Sequence, residues 1–247
     1  LENLDIKITN KLKEKMSINK ITTESLRLGI LLAIVGGFLD AYTYVGRGGI
    51  FANAQTGNIV LVSIEISKGQ WIQALLHMPP ILAFIAGVVV AETIKKSPPR
   101  FFIRDSVRTI LLLEIVVLFI IGFVPNTVPN SFVTVTISFV ASVQVATFRK
   151  LHDYPYSTTM STGNLYSASQ AAYVAVVNKD KKSALKALGY FTIIFSFVVG
   201  AFLGGLTTSY VGVKAIWGAA IVLILAVTLL SISETKRITT GSNAASD

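Results

Sequence analysis

Long stretches of this 247-residue chain contain no lysine or arginine, among them 28–46, 69–94, 109–148 and 187–213. All are rich in Leu, Ile, Val, Phe and Ala. A helix needs about 20 apolar residues to cross a hydrocarbon core of roughly 30 Å. In lipid every backbone polar group must be satisfied internally, and a continuous apolar stretch of this length does so as an α-helix. Charged residues make up 14% of the chain, against about 25% in typical soluble domains. That is too few to coat a soluble globule of this length. The expectation is an all-α integral membrane protein with six spans, at 28–46, 72–94, 109–124, 131–148, 187–208 and 215–232. The stretch 109–148 divides at Val124-Pro125-Asn126-Thr127-Val128-Pro129-Asn130, because two prolines and two asparagines make a turn.

The net charge of +9 would suggest nucleic acid in a soluble chain. Its distribution here excludes that partner and orients the protein instead. Of the 22 Lys and Arg, 19 fall before the first span, in 95–108, in 149–186 or in the tail. The other connections hold only Arg47, Lys68 and Lys214. By the positive-inside rule both termini are expected in the cytoplasm. The basic residues then face anionic lipid.

The tripeptide Thr-Gly-Asn occurs twice, as Thr56-Gly57-Asn58 and Thr162-Gly163-Asn164. A shift of 106 residues aligns the two copies without a gap, placing Ser63 on Ser169, Tyr42 on Phe148 and Asn53 on Thr159. A second match pairs Gly87 and Ala91 with Gly200 and Gly204, in a register seven residues longer. Small residues four apart let helices approach closely in lipid. The chain therefore reads as two repeats, 28–124 and 131–232, between a basic interfacial segment (1–27) and a disordered cytoplasmic tail (233–247). With three spans per half, the repeats are inverted. The segments 51–67 and 157–177 then begin and end on one side each, as re-entrant or broken helices entering from opposite faces. A rival reading makes the second segment span, giving eight helices and parallel repeats, but it moves one basic cluster outside.

The run Gly37-Phe38-Leu39-Asp40-Ala41-Tyr42-Thr43-Tyr44, followed by Gly48-Gly49-Ile50-Phe51-Ala52-Asn53-Ala54-Gln55-Thr56-Gly57-Asn58, resembles the signature of the YoaK family. These are bacterial membrane proteins carrying a domain of unknown function. The resemblance covers roughly residues 25–235. It implies a six-span inner-membrane protein and little about activity.

Polar side chains inside apolar spans are costly and mark candidate sites. Asp40, with Tyr42 and Tyr44, is a candidate proton or cation site or a contact for a cationic group of a solute; the alternatives are a structural ion pair with Arg47 or a cap for a half-helix end. Glu114, a candidate intramembrane acid, could instead reach toward Arg108 or Arg104. Gln144 is expected to hydrogen-bond the broken backbone. Asn53, Gln55, Thr56, Gly57, Asn58, Thr162, Gly163 and Asn164 line the expected pathway, joined by Thr158, Thr159 and Ser161. Helix N-termini there would offer N–H groups to an anion or a carbonyl oxygen. The plainer reading has Thr and Asn capping a short helix and Gly permitting the turn. Both glycines are expected at close backbone approaches.

Enzyme chemistry finds little footing. There is no cysteine, which removes thiol catalysis, disulfides and thiolate metal sites. His77 and His152 share no metal-ligand spacing, and His77 is expected at the outer entrance of the second span. No cofactor is called for. The first 26 residues lack the pattern of a cleavable signal, and Ile8, Leu12 and Met16 fit a helix on the inner leaflet or a solvated basic arm. The expected partners are the bilayer and a small solute or ion, and a homo-oligomer stays open. The expected function is a channel or secondary transporter. The competing class is a membrane-embedded protein that binds a lipid or a partner helix.

Overall fold

The computed structural model describes residues 25–96, 106–151 and 154–243, with only the backbone of 106, 151, 154 and 233–243. The basic segment before Ser25, Arg104 and His152 lie outside the described residues. The helices are α1 (Leu26–Gly46), α2 (Gln55–Ser67), α3 (Trp71–Lys96), α4 (Ser106–Ile121), α5 (Asn130–Thr147), α6 (Ser161–Val177), α7 (Lys181–Val211) and α8 (Trp217–Asn243). A 3-10 turn, Gly212–Ile216, joins the last two. The described strands are the two-residue β1 (Lys150–Leu151) and β2 (Tyr154–Pro155), paired antiparallel.

Four described stretches are long and apolar enough to cross a membrane: Leu26–Gly46, Trp71–Lys96, Asn130–Thr147 and Lys181–Ile232. The last is 52 residues long and is divided where Gly212 takes φ +66°, ending α7. α4 has 16 residues, about 24 Å at 1.5 Å per residue, and ends at Ile121 where 124 was expected. α2 has 13 residues and α6 has 17, about 20 and 26 Å. α3 runs through Pro79 and Pro80, so His77 lies within that helix and not at its entrance. The backbone of α8 continues to Asn243, eleven residues past the expected boundary and into the segment expected to be disordered; Glu234, Lys236 and Arg237 are good helix formers.

Helix starts follow their capping residues. The Ser25 hydroxyl accepts the Leu28 N–H at 3.3 Å. Asp180 accepts the Lys182 and Ser183 N–H groups at 3.0 Å each. The Ser183 hydroxyl and then these N–H groups hold its carboxyl below the usual range.

Packing repeats between the halves. α1 packs on α7 as α5 packs on α3, and α2 lies on α3 as α6 lies on α7. α1 and α7 run in the same direction, since Gly29, Gly37 and Gly46 meet Ile193, Phe197 and Thr208 in that order. Gly200 abuts the Ile34 carbonyl and Gly204 the Phe38 backbone, while Gly87 abuts Phe139 and Ser142 of α5. The small residues paired in the sequence are thus the contacts where backbones come closest, as lipid-embedded packing requires.

The opposite faces of α3 and α7 are apolar and exposed. Leu75, Met78, Leu82, Ile85 and Val89 stand outward on α3; Leu188, Phe191, Phe195, Val198 and Phe202 stand outward on α7. The two stripes coincide at the longer, 113-residue register. In water such stripes would be an aggregation liability; in a bilayer they are the lipid face. The core lies on the other side, where Leu32 and Leu39 of α1, Leu111 and Leu118 of α4, Ile137 of α5 and Leu223 of α8 are fully buried together.

Candidate functional site

After α1 the chain turns at Gly48 and Gly49, whose φ values of +88° and +75° lie in the left-handed region that glycine adopts freely. It then folds back beside the helix it has left. Asp40 Oδ1 accepts the N–H of Asn53 at 2.6 Å and of Ala54 at 3.3 Å. Ala54, at φ −76° and ψ 66°, forms an inverse γ-turn, with the Gln55 N–H donating to the Asn53 carbonyl at 2.8 Å. α2 begins there. Four residues into it, the Asn58 amide reaches back seven positions. Its oxygen accepts the Phe51 N–H at 3.0 Å and its nitrogen donates to the Phe51 carbonyl at 2.8 Å. The side chain pairs with extended backbone as a neighbouring strand would, and satisfies groups that lipid could not.

The second segment repeats this geometry 106 residues on. Asn164 holds Ser157 by the same two bonds, at 3.2 and 2.6 Å. Met160 takes φ −90° and ψ 75°, and the Ser161 N–H donates to the Thr159 carbonyl at 3.2 Å. Asp40 aligns with Ala146, so the acceptor has to differ. Ser157 Oγ accepts the N–H of Thr159 at 3.4 Å and of Met160 at 3.1 Å. These are the counterparts of the two N–H groups that Asp40 receives. A neutral hydroxyl does in one half what a carboxylate does in the other.

The two turns meet at Gly36, the middle residue of α1. Asn53 Nδ2 donates to the Gly36 carbonyl at 3.4 Å. A Cβ on Gly36 would stand 2.5 Å from Thr159 Cγ2 and 3.5 Å from the Thr158 carbonyl oxygen. Asn53 and Thr159 are the pair that the internal alignment superimposes. Asp40 lies one turn further along the same face. Asp40, Asn53, Thr158 and Thr159 are each at most 5% exposed. Among the described residues, Asp40 Oδ2, Asn53 Oδ1, Thr158 Oγ1 and Thr159 Oγ1 have no hydrogen-bond partner. Buried polar atoms are nearly always paired, so four unpaired oxygens around one turn of helix mark this junction.

Several expected residues lie elsewhere. Arg47 is fully buried but forms no ion pair with Asp40. Its guanidinium donates to the Val124 carbonyl at 2.8 Å, Asn126 Oδ1 at 3.3 Å and the Tyr42 hydroxyl at 3.2 Å. Tyr42 in turn donates to the Val213 carbonyl at 3.1 Å and belongs to this helix-end cluster, almost opposite Asp40 on α1. Seven residues do return near the same face, but Asp40 is taken by Asn53 and Ala54. Tyr44 is exposed, stacked on Phe51 with ring centroids 4.7 Å apart. Thr56, Thr162 and Gly163 are exposed, on the outer sides of α2 and α6. Neither Thr nor Asn of the motif is an N-cap: those positions are Ala54 and Met160, without side-chain bonds. Gln55 donates to the Ala52 carbonyl at 2.7 Å and accepts from Asn58 Nδ2 at 2.8 Å, bracing the clamp. A Cβ on Gly57 would meet the Phe51 ring at 2.8 Å, whereas Gly163 has nothing within 4 Å.

Glu114 and Gln144 form a separate polar pair between α4 and α5. Gln144 Nε2 donates to Glu114 Oε2 at 2.8 Å, and both are 1% exposed. Glu114 therefore does not reach toward the basic end of its helix, and Gln144 does not bond the broken backbone. Two residues central to the junction, Gly36 and Ser157, carried no expectation. The paired glycines Gly36-Gly37 in the first span were the available signal; Ser157 aligns with Phe51 and gave none.

Apolar helices with outward lipid-facing stripes and a buried polar junction define an all-helical membrane protein. The chain belongs to the family described as a protein of unknown function (DUF1275), whose model matches residues 28–229. It is 28% identical over 140 residues to the UPF0700 transmembrane protein YoaK of Bacillus subtilis (strain 168). That match spans 56% of this chain and 62% of the relative, so under two thirds of the relative's length is covered. No solved structure matches.

Proposed function

We propose that this chain is a channel or secondary transporter for a small solute or ion, with its site where the two turns meet at Gly36. The proposed frame is six spans in two inverted repeats in the bacterial plasma membrane, with both termini cytoplasmic. α2 and α6 each enter to mid-membrane and return. Support for the frame comes from Arg47, which joins the end of α1 to Val124 and Asn126 in the α4–α5 connection. Those two ends share a face if α3 and α4 cross and α2 does not. Eight spans would put them on opposite faces. At 13 residues, α2 is also too short to cross.

The observation that carries the functional reading is the set of unpaired oxygens at the junction of the halves. Irregular backbone at mid-membrane depth occurs where protein or a water-filled cavity surrounds it, and discontinuous helices at that depth commonly form substrate sites. The experiment is a flux screen in proteoliposomes comparing wild type with Thr159→Val, which removes one unpaired hydroxyl and keeps the shape. Solute flux in wild type that falls in Thr159→Val supports a pathway through the junction. Absence of flux for every small solute and ion tried, with a co-purifying lipid retained, would favour a lipid-binding protein instead.

A further inference from the structure

We infer that the Gly36 junction is a binding site for a hard monovalent cation, held by Asp40 Oδ2, Asn53 Oδ1 and the hydroxyls of Thr158 and Thr159. The inference rests on the proposed pathway and names the chemistry its site recognises.

Helix N-termini ordinarily favour anions, and two converge here. In their first turns Thr56, Thr162 and Gly163 lie on the exposed outer sides of α2 and α6, and the N–H groups of the turns just before the two helices are already occupied. Those of Asn53 and Ala54 go to Asp40 Oδ1, and those of Thr159 and Met160 go to Ser157 Oγ. The amide nitrogen of Asn53 is spent on the Gly36 carbonyl. What remains unpaired is oxygen: one carboxylate, one amide carbonyl and two hydroxyls. Among small ligands, that donor set suits a cation coordinated by oxygen.

The comparison of halves sharpens the point. A serine hydroxyl suffices to receive the two turn N–H groups in the second half, so structure alone does not require the negative charge of Asp40. The charge has to be neutralised at this depth, and Arg47, the nearest candidate by sequence, is bonded to other groups. One carboxylate balances one monovalent ion. A divalent ion would leave a net positive charge in a low-dielectric interior, and calcium takes six to eight oxygens, commonly from several carboxylates. The described residues hold no group of three or more His, Cys, Asp or Glu that could bind a metal ion.

The test is thermal unfolding of the full chain in lipid nanodiscs, titrated with NaCl, LiCl or KCl against choline chloride at constant ionic strength. MgCl2, CaCl2 and a pH series serve as further arms. The expected result is a saturable rise in Tm with at least one alkali cation, absent in Asp40→Asn and shifted to at least about tenfold higher cation concentration in Thr159→Val, a change of about 1.4 kcal/mol in binding. Glu114→Gln, in the separate polar pair, should keep the rise. If Asp40→Asn does not fold, Thr159→Val decides. No alkali-specific rise, an undiminished rise in Thr159→Val, a rise with divalent ions alone, or stabilisation by acid alone would each overturn the cation site. Flux without an alkali-specific rise leaves the pathway and removes the cation; a rise without flux keeps the site and removes the pathway.

Discussion

At the residue scale the two asparagines are structural clamps, while Asp40 holds the first turn with one carboxylate oxygen and leaves the other unpaired. Each Asn makes two hydrogen bonds to one backbone residue, and its loss leaves part-buried N–H and C=O groups unpaired. Asn58→Ala and Asn164→Ala should each destabilise by about 2–4 kcal/mol, since an unsatisfied buried group costs about 1–3 kcal/mol. Equilibrium unfolding in mixed micelles reads this, and a cost below about 1 kcal/mol at both positions would remove the clamp. Asp40→Asn keeps an acceptor oxygen for Asn53 and Ala54, so flux should fall with modest destabilisation. Asp40 and Arg47 share no partner. A double-mutant cycle of Asp40→Asn with Arg47→Gln should therefore be additive within about 0.5 kcal/mol. A larger coupling would restore the ion pair that helical spacing alone suggested. Spacing along a helix could bring those two side chains toward one face, but could not see that a returning loop reaches the carboxylate first.

At the element scale, close helix approaches are set by glycine, and the consequences differ from site to site. Gly200 lies against the Ile34 backbone, which cannot yield as a flexible side chain would. Gly200→Ala should cost about 1–3 kcal/mol by overpacking, read as a lower unfolding midpoint. The two motif glycines looked equivalent in sequence and are not. A Cβ at Gly57 meets the Phe51 ring, while one at Gly163 meets open space. Gly163→Ala should thus be neutral or stabilising by up to about 1 kcal/mol of helix propensity, and Gly57→Ala destabilising; the reverse order in thermal melts would contradict the packing. The helices, the duplication and the longer second register were legible because apolar periodicity and small-residue spacing are local patterns. Ser157 taking over from Asp40 was not, because it substitutes for Asp40 in space, with no match in aligned position.

At the scale of the whole molecule, the proposed frame is one repeat used twice, in opposite orientation, so that two turns enter from opposite faces and share one glycine. Charge bias in the sequence pointed to that arrangement, and the Arg47 cluster supports it independently. The absence of cysteine makes the decisive measurement clean. Lys68→Cys, at the end of α2, and Asn178→Cys, at the end of α6, are exposed positions that the account places on opposite sides. In intact cells an impermeant maleimide should label Lys68→Cys readily and Asn178→Cys only after the membrane is permeabilised. Labelling of Asn178→Cys in intact cells alongside Lys68→Cys would contradict the inverted repeat and the meeting at Gly36 with it.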